Sequence, residues 1–171
     1  HLDALATPEM QRSIWHQTLG IAETHNRPGV FTTLLGFEWT LDPGGSNMHR
    51  VVVFRDGSGR VGKVQPFSAS QGKQPEDLWR YLAAYESTTG GQVLAIPHNG
   101  NLSNGLMFPD TTSFGGSAVD RSYAETRTRW EPVVEVTQIK GDGETHPLLS
   151  PDDEFADYET WDFWNFDGIP K

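Results

Sequence analysis

The stretch Val93–Gly105, VLAIPHNGNLSNG, constrains this chain more than any other. It opens with Val93-Leu94-Ala95-Ile96, the continuous apolar run that a strand shows when both its faces are covered. The run stops at Pro97, and His98 and Asn99 follow at once. Asn99, Asn101 and Asn104 then alternate with glycine and small residues. Packing alone asks for neither an imidazole nor three carboxamides at that place. A buried strand that ends in His and opens into a polar, Gly-rich loop is how an α/β protein sets a reactive ring at the carboxyl edge of its sheet. The segment reads as the floor of an active site.

The elements around it follow from pattern. Thr7-Pro8-Glu9 is a helix start, with a hydroxyl cap, Pro in the first turn and an acid at the positive end of the dipole. Met10, Ile14, Trp15, Ile21 and Ala22 supply its apolar stripe to about Glu23. Val30–Trp39 reads as a strand with Glu38 near its carboxyl end, and Met48–Arg55 as the next. The turn Asp42–Asn47 between them predicts an antiparallel hairpin, in which His49 lies close to Glu38. A short edge strand is expected near Val64–Phe67. Pro75-Glu76-Asp77 opens a second helix with Leu78, Trp79, Leu82 and Tyr85 on its apolar face, closing near Gly90-Gly91. Helix followed by strand Val93–Ile96 is the signature of a parallel crossover. A third helix is expected over Asp120–Trp130, a third strand over Val133–Gln138, and a further helix cap at Ser150–Asp153.

Composition narrows the chemistry. With 171 residues, six Trp and nine Phe, the chain can bury one core. Twenty-three acids against thirteen bases give a net charge of -10, which opposes a general grip on nucleic-acid phosphates. No segment is apolar enough for a membrane partner. Cysteine is absent, so disulfides, thiolate zinc sites and cysteine nucleophiles are excluded. Any metal must sit on His, Asp and Glu, which suits zinc, manganese or iron. The chain opens at His1 and reads as a fragment of a longer protein, soluble and of unknown compartment.

Glu38, His49 and His98 converge if the strands lie side by side, and the loop after VVEVTQ adds Asp142, Glu144 and His146. Imidazoles and carboxylates without sulfur are the ligands of a catalytic divalent metal centre. Glu38, His49 and His98 are the candidate ligands, and Glu38 can bridge two ions. Asn99 and Asn101 either orient substrate or stabilise turns, since Asn tolerates left-handed backbone; Lys140 is a candidate for meeting substrate charge. His146 reads as a cap before Pro147, while Glu135, alternating with valines, faces either solvent or the sheet. His1, His16 and His25 look incidental. The tail WDFWNF reads as core or a cut interface.

GFEWT, NMHRVVVFR, VLAIPHNGNLSNGLMFP and EPVVEVTQIKGDGETHPLLSPDDEFADYE resemble the middle of a bacterial family called DUF3604, grouped with the PHP (polymerase and histidinol phosphatase) superfamily. The likeness runs from about Pro28 to Asp162. It implies an α/β fold: a partial, distorted (β/α)7 barrel, with a mixed, mostly parallel sheet and a β-hairpin. It implies two or three divalent metal ions held by His, Asp and Glu, and hydrolysis of phosphoesters with metal-activated water, in a bacterial cytoplasm or periplasm. By that resemblance Glu38 matches the bridging Glu, His98 the single His after a central strand, and His49 the ligand soon after the Glu. Glu38 and His98 are then the catalytic pair. The superfamily's His-x-His, Asp-His and closing Asp-x-His motifs are not in this sequence. Residues 1–171 are therefore expected to be a single domain or fragment, the central part of the barrel, inactive alone. Its partners would be the remaining barrel segments, a second copy, and a small-molecule substrate, a phosphoester by the likeness. The rival readings are a metal-dependent hydrolase of amides or non-phosphate esters, and a non-catalytic binding module.

Overall fold

The structure, a computed structural model, describes residues 7–112, 116–158 and 160–161. Helix α1, Pro8–His25, begins where the sequence signals it, with the Thr7 hydroxyl accepting the Met10 N–H at 3.3 Å. Its buried stripe is Trp15 and Leu19, joined by half-buried Ala22. Met10, Ile14 and Ile21 point outward, 52–62% exposed, so they do not belong to the core-facing stripe. Trp15 decides the facing: it packs edge-on to Phe37 at 6.3 Å, and its indole N–H reaches the Val64 carbonyl at 2.9 Å.

Three strands, β1 (Leu35–Trp39), β2 (Arg50–Phe54) and β3 (Val93–Pro97), form one sheet in the order β1-β2-β3. Both pairings are antiparallel: Trp39 faces Arg50, and Arg50 faces Pro97. The expectation of a mostly parallel sheet and a (β/α)7 barrel is overturned, because no parallel pairing and no barrel occur among the described residues. The reason lies in how many times the chain crosses the sheet between β2 and β3. It leaves β2 at Phe54 and includes a helical turn, α2 (Ser58–Val61). By Ala69–Gln74 it lies beside Leu41–Pro43, at the opposite end. Helix α3, Pro75–Thr89, then carries it back. Two traverses return the chain to the edge it left, so Val93 pairs with Phe54 and β3 runs against β2.

Alternation along the strands separates two faces. Leu35, Trp39, Val52, Phe54, Val93 and Ala95 pack with Leu78, Leu82 and Tyr85 of α3 into one buried core. Glu38, His49, Val51, Val53, Leu94, Ile96 and His98 alternate onto the other face, which is half-buried to exposed. Helix α3 ends on Gly90 in the left-handed region, and a Cβ on Gly91 would collide with Tyr85 and Asp56, so this sharp exit needs both glycines.

Other sequence readings shorten. The expected strand Val30–Trp39 begins only at Leu35, because Arg27 and Phe31 close a turn on each other. Val64–Phe67 forms no strand; the carbonyls of Val64 and Gln65 are taken by Trp15 and Tyr81. Helix α4, Arg121–Trp130, forms where the third helix is expected, with Asp120 as its cap instead of its first residue. Of Val133–Gln138, only Thr137–Gln138 (β4) pairs, with Gly141–Asp142 (β5). Ser150–Asp153 starts turns rather than a helix. In the WDFWNF tail, Trp161 is 41% exposed and residues 162–166 lie outside the described residues, as does His1. No helix among the described residues is long and apolar enough to cross a membrane.

One buried ion pair ties sheet to helices. Arg50 and Glu131 are each 1% exposed at the side chain, with Nε and Oε1 3.0 Å apart. The same carboxylate accepts the Trp79 indole N–H at 2.9 Å and pairs with Arg127 at 3.2 Å. Burial pulls the Arg50 guanidinium below its ordinary value, and the Glu131 charge works against that pull. Removing one partner leaves an uncompensated buried charge. Glu131→Ala should therefore lose about 3–5 kcal/mol of stability, read as a lower urea midpoint at unchanged slope.

The Tyr85 hydroxyl is buried and donates to Asp56 at 2.9 Å. Burial, then the Asp56 hydrogen bond and charge, push its pKa from 10 up to about 12. A raised folded value means the contribution is full below pH 10 and is lost as pH rises through about 12. Burial raises Tyr81 as well. Alkaline unfolding should steepen between pH 10 and 12, and Tyr85→Phe should flatten that limb while leaving Tyr81's part.

Candidate functional site

The antiparallel order explains how the site forms. β1 and β3 both end at one edge of the sheet, and β2 begins there. Glu38 comes from the end of β1, His98 directly follows β3, and His49 directly precedes β2. The alternation that buries Trp39, Arg50 and Pro97 turns these neighbours onto the opposite face. Backbone pairing carries past the strand ends, where the His98 N–H meets the His49 carbonyl at 3.4 Å.

One carboxylate oxygen is the meeting point. Glu38 Oε1 lies 2.9 Å from His49 Nδ1 and 3.1 Å from His98 Nε2. The rings stand edge to face, with centroids 5.8 Å apart. One donor atom from each residue falls within 4.8 Å of the others. The imidazoles are nearly covered, 13% and 12% exposed, while Glu38 is 49% exposed, so the cluster opens on the carboxylate side. Two imidazole nitrogens and a carboxylate form the His2Glu set used by catalytic zinc centres, which leave a coordination position open. The donors therefore fit a divalent ion by type and by spacing.

The loops hold these side chains from behind. Asn47 is fully buried; its Oδ1 accepts the His49 N–H at 3.0 Å, and its own N–H reaches the Leu102 carbonyl at 2.9 Å. Asn99 sits in the left-handed region at φ 55 and begins a short 3-10 turn, Gly100–Leu102. Its N–H donates to Glu135 Oε2 at 2.9 Å, and Gln138 bonds both oxygens of that carboxylate. The Glu135 N–H reaches the Pro97 carbonyl at 3.1 Å. Glu135, left open between solvent and sheet by its sequence pattern, thus clamps the backbone next to His98. Neither polar atom of the Asn99 amide, nor His98 Nδ1, meets a hydrogen-bond partner, although all are buried.

The other sequence candidates have local duties. Asn101 donates to the Lys140 carbonyl at 2.9 Å, joining the His98 loop to the β4–β5 turn; Lys140 meets this loop through its backbone. Asn104 takes a left-handed conformation and donates to Ser46. Asp142 caps the turn at Glu144 and Thr145, and His146 Nδ1 accepts from the Leu148 N–H. These residues do not join the Glu38 cluster among the described residues.

The sequence reading passed over one neighbour. Asp42, a turn residue by its sequence pattern, places Oδ1 2.8 Å from His49 Nε2. An Asp before Pro is an ordinary turn residue, and only the fold shows what it faces.

A short antiparallel sheet with helices packed on one face, and a His2Glu cluster at its edge on the other, defines the class as a candidate metal-site protein of mixed α/β structure. A family described as Protein of unknown function (DUF3604) matches residues 1–170, and the chain belongs to that family. No curated protein and no solved structure matches the chain.

The Glu135 clamp can be checked directly. A hydrogen bond to a charged group contributes about 1.5–3 kcal/mol. Glu135→Ala should accelerate amide exchange at Asn99 by about 10- to 100-fold, while exchange in α3 stays unchanged.

Proposed function

We propose that this chain carries the metal site of a hydrolase with PHP-type chemistry, acting on phosphoesters. The observation that carries the reading is the convergence of Glu38 Oε1, His49 Nδ1 and His98 Nε2 at one edge of the sheet. The PHP likeness enters through these donors, and the barrel has no part in it. Glu38, His49 and His98 would hold the ion, with Glu38 and His98 as the catalytic pair. A divalent cation there supplies Lewis acidity and makes water a nucleophile near neutral pH; zinc, manganese and iron all suit this donor set.

The chain's own contribution is positioning. The nearly covered rings keep solvent from two sides of the cluster, and the exposed half of Glu38 leaves a path for substrate. Two anchored strand ends and a clamped loop hold the donors, so little ordering remains when a ligand arrives. Asn99, Asn101 and Lys140 belong to the proposal as residues at its margin. Asn99 has an amide with no protein partner, and Asn101 already uses one N–H on Lys140.

The test is metal content and hydrolysis in the chain and in any longer parent. Wild type should bind a divalent ion, and Glu38→Ala and His98→Ala should each lower metal content at least tenfold and abolish turnover. Unchanged metal in both variants overturns the assignment. A panel of chromogenic phosphoesters, carboxylic esters and amides decides the substrate class; turnover of the last two alone replaces the phosphoester reading.

A further inference from the structure

We infer that Asp42 is the positioning residue of this site, holding His49 so that Nδ1, not Nε2, is the nitrogen offered at the point shared with Glu38 and His98. The inference rests on the metal reading above and adds to it a residue outside the donor set. Both nitrogens of the His49 ring face carboxylates: Nδ1 lies 2.9 Å from Glu38 Oε1, and Nε2 lies 2.8 Å from Asp42 Oδ1. A neutral imidazole has one N–H and one lone pair. A cation bound with Glu38 and His98 takes the lone pair on the Glu38 side, which leaves Nε2 carrying hydrogen. The ring is only 13% exposed, so that N–H needs an acceptor from the protein, and the Asp42 carboxylate is in place. This is the carboxylate–histidine–metal arrangement, which sets the tautomer and fixes the orientation of the ring.

The two imidazoles are not equivalent in this respect. His98 presents Nε2 to Glu38, and its Nδ1 is buried with no partner. Only His49 has a carboxylate at its far nitrogen. The Asp42 backbone is held as well: the Met48 N–H bonds the Leu41 carbonyl at 2.9 Å and closes the loop on either side. Pro43–Gly45 forms a 3-10 turn inside it, with Gly44 in the left-handed region. Asp42 is therefore presented to His49 by a closed turn.

The experiment uses zinc as the probe, at one pH, with the wild-type chain, Asp42→Ala and Asp42→Asn. Zinc affinity is measured by chelator competition, and the His49 ring nitrogens of the zinc-loaded protein are read by 1H–15N NMR. Wild type should show zinc on His49 Nδ1 and a slowly exchanging Nε2–H. Asp42→Ala should weaken zinc binding about 10- to 100-fold and lose the protected Nε2–H signal. Asp42→Asn, which keeps the turn and the volume, should fall between the two, and it decides the matter if the Ala variant fails to fold. Zinc affinity within twofold of wild type and an unchanged His49 signal in both variants overturn the role of Asp42 and leave the metal reading standing. Zinc on His49 Nε2 in wild type also overturns it. Failure of wild type to bind zinc, and manganese or iron(II) titrated in its place, overturns both.

Discussion

The buried pairing of Arg50 with Glu131 is the interaction on which the rest depends. A guanidinium and a carboxylate at 1% exposure are tolerated only when each meets the other and the remaining hydrogen-bonding groups find partners. Here the Met48 carbonyl accepts from Arg50 and the Trp79 indole donates to Glu131 Oε1, while Glu131 Oε2, which has no hydrogen bond, is met by the Arg127 charge at 3.2 Å. The network spans β2, α3 and α4 and closes on Glu131, the residue directly after α4. Its geometry also reaches the site. Arg50 is the residue after His49, so fastening its side chain on the core face fixes where the preceding imidazole emerges on the other.

The same strand order that rules out a parallel sheet assembles the cluster. In a parallel sheet, every strand would deliver its functional residue from its carboxyl end. Here β2 is inserted antiparallel between two strands that share a direction, so its residue comes from its amino end. Glu38 and His98 come from strand ends, and His49 comes from a strand start. Convergence at one edge survives the change of topology because each of the three lies one position beyond, or one position inside, the paired region.

Much of this was legible in sequence. Helices α1 and α3 announced themselves through Thr7, Pro75 and the glycines that close α3, and α4 formed over nearly its expected span. The antiparallel pairing of β1 and β2 followed from a short, turn-rich connection, which by itself places Glu38 near His49. The outward face of α1 misled, because Met10, Ile14 and Ile21 keep helical spacing with one another while Trp15 and Leu19 take the core. The helix-before-strand pattern misled for a different reason. It records that a helix intervenes, and it does not record that residues 55–74 have already crossed the sheet once. Val133–Val136 looked like a strand, yet its backbone bonds go two separate ways, the Glu135 N–H to Pro97 and the Val136 carbonyl to Gly143, and build no ladder.

Local chemistry was thus decided by the sequence itself: no thiol to bind or react, a surplus of acid, three strong helices, and an imidazole delivered by a buried strand into a loop of amides. Those outcomes depend on residue type and near neighbours, which the chain states outright. Only the tertiary structure decided that β3 runs against β2, that Glu135 reaches Asn99, and that Asp42 lies behind His49. Each is a contact across a turn or between distant segments, set by how many times the chain traverses the sheet and by which buried charges must meet, and no local pattern encodes it.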